Sequence, residues 1–316
     1  MTHAKNPIKL REIIIAASVG VIMLVLGIIF DYKLTSAIYH PGNENWFGVI
    51  GAACVELPVC IGLGFGGMSL ILIKYEGKKW LRIFFLIIGI IAVAASFYFI
   101  FDTFKDIYKD IQRLAEYKTL ITILGLAFAV VIEGLIVLFT WLCKTKWGFD
   151  EHDMFVFGLF MIIIAVTDAV TGTAVKYLWS RPRPRYIFGL ADPLNSFHPV
   201  WQIDPFKSLL VTFKDPDFNA DNLKSFPSGH TLYATTAIFF LPYIASCSSK
   251  LRDDRRIVVL LFYIGLLWAI MAALSRVFAG AHFLSDTAVG FIISVVVGSL
   301  IHFLVLFRKA PVKEAK

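Results

Sequence analysis

Charge is scarce in this chain of 316 residues: 17% are Asp, Glu, Lys or Arg, against 58% hydrophobic. A water-soluble domain of this length carries nearer a quarter charged residues, so a soluble globular protein is excluded and an integral membrane protein is expected. Cysteine is scarce too. Cys54, Cys60, Cys143 and Cys247 have neither paired nor metal-type spacing, which argues against a disulfide framework or a thiol site and leaves them as core filler. The sequence has no N-x-S/T sequon, internal repeat or low-complexity linker. The missing sequons and unpaired cysteines favour a bacterial plasma membrane, and nothing divides the chain into separately folded parts.

What is present is a series of long apolar runs, near residues 12–31, 47–74, 80–101, 119–143, 153–175, 228–246, 256–275 and 286–307. A helix needs about 20 apolar residues to cross the hydrocarbon core, so the expected fold is all-α, a polytopic transmembrane helical bundle of about eight spans. The first run follows "MTHAKNPIKLRE" with no small-residue cleavage site behind it, and reads as a span rather than a removed signal peptide. Glu56 and Pro58 interrupt the second run; it is either kinked or re-entrant in its first third.

The net charge is +7. Its bases fall largely between the apolar runs, where the positive-inside rule and anionic headgroups account for them, so the partners are membrane lipids and nucleic acid is not implied. Lys9 and Arg11, Lys78, Lys79 and Arg82, Lys144 and Lys146, and Lys250, Arg252, Arg255 and Arg256 fall on alternate connections, which places both termini in the cytoplasm. The segment 102–118 carries four bases on the other side, nearly balanced by acids, and its Ile, Tyr and Leu spacing suits a helix lying in the interface. The longest connection, 186–226, holds Pro193, Pro199, Pro205 and Pro216 with Phe197, Trp201, Phe206, Phe213 and Phe218; it is either a substrate lid or an interface anchor.

Three stretches carry chemistry. "KYLWSRPRPRY" crowds Lys176, Arg181, Arg183 and Arg185 at a span exit, with Pro182 and Pro184 forbidding a continuing helix. "FPSGHTLYATT" puts Ser228, Gly229 and His230 just before a new apolar run, where backbone N–H groups and the positive helix end favour an anion. "LSRVFAGAHFLSD" leads from Arg276 to His282 and, four residues on, Asp286. An i, i+4 pair shares a helix face, so Asp286 is expected to take the proton on one nitrogen of His282 and leave the other as a bare nucleophile. With Lys176, Arg183, Arg276 and the Ser228 and Gly229 amides this describes a phosphoryl-transfer site, with His230 protonating the leaving oxygen. No metal ligand set is evident and no cofactor is expected; three fixed cations can replace a metal. Each stretch alone has a bland reading as a positive flank, a helix start or a helix contact. Their joint occurrence on one membrane face carries the functional one.

The pattern K-x6-R-P (Lys176, Arg183, Pro184), P-S-G-H (Pro227 to His230) and S-R-x5-H-x3-D (Ser275, Arg276, His282, Asp286) resembles the tripartite signature of the type 2 phosphatidic acid phosphatase superfamily, which also includes vanadium haloperoxidases and glucose-6-phosphatases. The resemblance covers roughly 153–307. It implies a six-helix phosphatase core, an extracytoplasmic or lumenal active site, and metal-independent hydrolysis through a phosphohistidine. By position, His282 is then the nucleophile, Asp286 its orienting partner, His230 the general acid, and Lys176, Arg183, Ser228, Gly229 and Arg276 the phosphate holders. Arg181 and Arg185 stand outside the pattern, as binders of a second phosphate or of headgroups, or as snorkelling side chains. The expected division is 1–152, N-terminal membrane helices poorly matched to the family; 153–307, the phosphatase core with loop 186–226; and 308–316, a cytoplasmic tail.

The leading function is therefore a lipid phosphate phosphatase, acting on a phosphate monoester or diphosphate of a lipid. A lipid phosphotransferase with a non-water acceptor is the alternative, and a transporter or scaffold with a silent site the reading from another class. Asp168 is expected to pair inward with Lys176, Glu56 and Glu133 to be structural acids within spans, and His40, His152, His198 and His302 to be bystanders.

Overall fold

The computed structural model describes residues 7–42, 45–73, 77–110, 116–212 and 219–303. Among them the chain is helical, with isolated bridges and no β-strand, as expected where the backbone must satisfy its own polar groups in hydrocarbon. Seven helical segments are long and apolar enough to cross a bilayer. The chain is an integral membrane protein with an all-α polytopic bundle.

The first span is α1 (Leu10–Ile38). It runs seven residues past the expected end, so that Asp31 lies inside the helix. The second consists of α2 (Trp46–Cys54) and α3 (Leu57–Leu72), bent at Val55 and Glu56; Pro58 sits in the first turn of α3, where a missing N–H costs nothing. The run is a kinked span, not a re-entrant one. Then come α4 (Lys79–Asp110), α5 (Lys118–Thr145) and α6 (Glu151–Leu178). The long connection holds two short helices, α7 (Pro184–Ile187) and α8 (Phe206–Thr212). The run expected as one span over 228–246 is broken into α9 (Gly229–Thr235) and α10 (Ala237–Cys247). Thr236 bonds its hydroxyl to the Tyr233 carbonyl at 2.7 Å but keeps helical backbone, and Phe240 N–H donates to its carbonyl at 2.8 Å, so the two pieces together make one kinked crossing from Ser228 at the motif end to Ser248, which bridges to Phe149 at the other. α11 (Arg255–Phe278) and α12 (Leu284–Ile301) complete the order. α4 carries the expected interfacial segment as far as Asp110; residues 111–115, the loop residues Phe213, Pro216 and Phe218 and the tail 308–316 lie outside the described residues.

Glycine positions set how closely the helices approach. α3 sits among α4, α5 and α6, and a Cβ on Gly66 would stand 2.9 Å from the Gly158 carbonyl of α6, one on Gly67 2.6 Å from the Gly89 carbonyl of α4. Small residues are how membrane helices gain contact without a hydrophobic drive. The Ser96 hydroxyl lies 2.9 Å from both the Cys60 carbonyl and a Glu133 carboxylate oxygen, so Glu133 is tied into the α3–α4–α5 packing. All four cysteines are free, and Cys60, Cys143 and Cys247 are buried.

The two ends of the bundle differ. At one end Arg255 pairs with Glu12 at 2.8 Å, Lys144 with Glu151 at 3.2 Å and Arg252 with Asp153 at 3.9 Å. The three sequence motifs gather at the other end, where α6 and α11 finish and α9 and α12 begin.

Candidate active site

Residues 180–183 leave α6 as an extended strap that runs into α7. The N–H of Arg181 donates to the Leu223 carbonyl (2.9 Å), that of Arg183 to Asn222 (2.7 Å) and that of Arg185 to Gly280 (2.8 Å), while Ser225 N–H returns to the Arg181 carbonyl (3.0 Å). Pro182 and Pro184 have no N–H to satisfy and disfavour helix in the residue before them. The alternation of arginine and proline therefore matches the bonding of the strap, residue by residue.

The strap and the helix ends converge. Lys176, in the last turn of α6, places its ammonium 3.5 Å from where a Gly229 Cβ would be; the absence of that carbon leaves the start of α9 open. Ser228 caps α9, its hydroxyl accepting from Thr231 N–H at 3.4 Å, and its own N–H donates to the Asp286 carbonyl at 3.0 Å. Arg183 is aimed by the carbonyls of Asp221 (2.9 Å) and Ala281 (3.2 Å). Arg276, in the last turn of α11 and 1% exposed, donates to the Gly48 carbonyl of α2. α2 can lie that close because Gly48 and Gly51 face Ala279 and Ser275.

His282 is at the centre, 1% exposed. Its Nδ1 lies 2.5 Å from the Ser225 carbonyl. A carbonyl can only accept, so the proton sits on Nδ1 and Nε2 carries a free lone pair. Burial, and then the charges of Arg183, Lys176, His230 and Arg276, hold the His282 imidazole well below its ordinary pKa, and it is neutral at physiological pH. His230, in the first turn of α9, has Nε2 3.8 Å from a Glu56 carboxylate oxygen.

The structure brings Lys176, Arg183, Ser228, Gly229, His230, Arg276 and His282 to one place and corrects the partner expected for His282. Asp286 makes no hydrogen bond to it. The i, i+4 argument needs both residues in one helix, but α12 begins at Leu284, leaving His282 in the preceding turn. The Asp286 carboxylate instead accepts from Phe283 N–H (2.8 Å), the Ser225 hydroxyl (2.6 Å) and Arg181 Nη1 (2.7 Å). Ser225 is thus the link: its hydroxyl goes to Asp286 and its carbonyl receives His282.

Arg181 is likewise neither snorkelling nor reaching for headgroups. It is 1% exposed and donates to Asp286, to Asp31 of α1 at 3.0 Å, to the Ser285 hydroxyl at 2.9 Å and to the His198 carbonyl at 2.6 Å. Its guanidinium lies over the Phe283 ring at 4.2 Å and beside Phe197 at 5.3 Å. Phe197 also meets Tyr32 and Phe283 edge-on, so this part of the long connection closes over Arg181. His198, expected to be a bystander, supplies that carbonyl and pairs with Asp204 at 3.0 Å. Asp168 does not pair with Lys176; it accepts from Ser294 of α12 at 2.8 Å.

Asp31, Glu56 and Ser225 were not singled out for this site by the sequence. Asp31 lies 150 positions from Arg181, and no spacing rule joins them. Ser225, three residues before Ser228, offered only its proximity to a motif.

Comparison with known proteins agrees with this geometry. The family model described as PAP2 superfamily matches residues 155–310. "Probable lipid phosphate phosphatase 4" of Arabidopsis thaliana is 28% identical over 159 residues, which cover 49% of this chain and 50% of that protein; the chain spans about half the length of this curated relative. No solved structure matches. With its three motifs folded around one histidine, the segment 155–310, just under half of the chain, carries a PAP2 superfamily domain.

Proposed function

We propose that the protein hydrolyses a phosphate monoester or diphosphate of a membrane lipid through a phosphohistidine, without a metal. The observation that carries this reading is the buried His282, protonated on Nδ1 by its bond to the Ser225 carbonyl and presenting Nε2 among three fixed cations.

Lys176, Arg183 and Arg276, with the Gly229 amide, hold the phosphoryl oxygens and take up the charge that builds in the transition state; the Ser228 N–H, expected to join them, is already donated to the Asp286 carbonyl at 3.0 Å. Nε2 of His282 forms the P–N bond as the P–O bond to the lipid breaks, and His230 gives its proton to the departing oxygen. His230, now a base, takes a proton from water; the water oxygen bonds to phosphorus, the P–N bond breaks and phosphate leaves. Asp286 acts through Ser225, fixing the carbonyl that orients His282, and is a positioning residue. The motifs sit at the end of the bundle away from Lys144, Arg252 and Arg255; by the positive-inside rule that end is extracytoplasmic, with both termini in the cytoplasm.

The test is phosphate release from lipid phosphates in detergent with chelator present, comparing the native chain with His282→Ala, plus acid quenching to trap the phosphoprotein. Loss of release and of trapped phosphate in the variant is expected. Full activity of a well-folded His282→Ala protein would sink the proposal.

A further inference from the structure

A crevice of about 460 Å³ opens between α3, α4 and α6, within the roughly 300–1,000 Å³ of small-molecule sites. Its walls are apolar: Val59 and Leu63 from α3, Ile91 and Ala95 from α4, Val166 and Ala169 from α6. Alanine makes the space, since Ala92 and Ala95 face Ala165 and Ala169 across the gap, whereas the same helices elsewhere point large side chains at lipid. Ile91 and Val166 are exposed on its flank, so the crevice is open to the bilayer.

Two polar residues, Glu56 and Tyr233, also line it, and both sit next to His230. Glu56 is the residue beside His230, and Tyr233 lies three positions after His230 in α9. The crevice therefore starts where the cation cage ends. It follows α3 from Glu56 to Leu63, seven residues and about 10 Å at the helical rise. These helices precede or begin the PAP2 segment, so the crevice is built largely by the part of the chain the family model does not match.

A cationic cage continuous with a bilayer-facing apolar trough complements one kind of molecule, an amphiphile with an anionic head and a hydrocarbon tail. We propose that the crevice seats one hydrocarbon chain of the phosphorylated lipid, which enters sideways between α4 and α6 with its phosphate leading into the cage. This rests on reading the site as a lipid phosphatase. The trough has room for a single chain, so the second chain of a diacyl lipid stays in the bilayer. Chain length then becomes a determinant of KM independent of the chemistry at phosphorus.

The test has two parts. The first compares kcat/KM for dodecyl phosphate and butyl phosphate in detergent, using native protein, Ala95→Phe, Ala169→Phe and the control Val130→Phe, which places the same ring on the exposed face of α5. The dodecyl-to-butyl ratio should fall at least about tenfold in the two crevice variants, as expected if about two methylenes lose their burial, and stay level in the control. An unchanged ratio in the crevice variants overturns the proposal. The second does not need turnover: dodecyl phosphate with a mid-chain diazirine is photolysed on the native full chain. Label concentrated in residues 56–63, 88–99 and 162–170 is expected. Label spread over all lipid-facing helices, or equal crevice labelling by the matching alcohol without phosphate, makes the crevice an annular lipid groove and overturns the inference. Phosphate-dependent crevice labelling with no hydrolysis of any ester would keep the chain site and refute the phosphatase reading instead.

Discussion

Arg181→Met tests how the site is held together. The guanidinium is 1% exposed and faces two carboxylates, Asp286 at 2.7 Å and Asp31 at 3.0 Å. Methionine fills similar space and can keep the contact with Phe283, but it strands both acids. At an effective dielectric near 20, each charge pair at about 3 Å is worth roughly 5 kcal/mol of attraction, most of it already offset by desolvation. Removing one partner of a buried pair costs ~3–5 kcal/mol, and that is the expected loss, read by denaturant or SDS titration in detergent. The sign of a second change makes the argument specific. Asp31→Asn alone should destabilise by ~1–3 kcal/mol, the cost of weakening charge-assisted bonds to Arg181 and Ser285. In the Arg181→Met background the same change removes one of two uncompensated charges and should restore stability. Asp31→Asn lowering stability equally in both backgrounds, or Arg181→Met costing under ~1 kcal/mol as an exposed pair would, refutes the reasoning.

Three further outcomes are expected. His230→Ala should slow hydrolysis of alkyl phosphates far more than of nitrophenyl phosphate, whose leaving group needs no proton; equal slowing on both would remove His230 as general acid. The depressed pKa of His282 makes the unfolded chain bind the extra proton first. Its contribution is therefore complete above about pH 6.5 and is lost as pH falls below it, by up to ~1.4 kcal/mol per unit; His282→Gln should flatten the decline in melting temperature over that window. A Cβ on Gly290 would stand 2.4 Å from the Ser228 carbonyl, so Gly290→Ala should push the start of α9 off α12 and lower kcat about a hundredfold or more, the scale of losing one oxyanion donor, with far-UV circular dichroism unchanged.

The sequence marked the residues that gather at the site better than the groups that support them. The span pattern, the cation-bearing strap and the three motifs were legible because each is a local signal: run length, proline placement, fixed spacing. Spacing failed for Asp286, since i, i+4 carries meaning only inside one helix and the boundary at Leu284 falls between the two residues. Composition failed for Arg181, which looked like one more base at an interface; only the fold shows that Asp31, 150 positions earlier, meets it in the interior. The kink at Thr236 was invisible to a hydropathy window, which averages over a hydroxyl that bonds backward.

These misses share a direction. The motifs lie between Lys176 and Asp286, yet Asp31 fixes Arg181 and the backbone of Ser285, the Gly48 carbonyl holds Arg276, and Glu56 stands beside His230. All three belong to the first two spans, which the family model leaves unmatched. A cage of like charges repels itself until an anion arrives, so something must hold the cations in place while it is empty. Fixed carboxylates and carbonyls do this without occupying the centre, where a mobile counter-ion would compete with substrate. The early helices therefore bring order to the site from behind, and in the crevice between α3, α4 and α6 they also line an apolar surface that reaches Glu56, beside His230. A site so dependent on distant groups tolerates divergence in the helices around it only where those few contacts are kept.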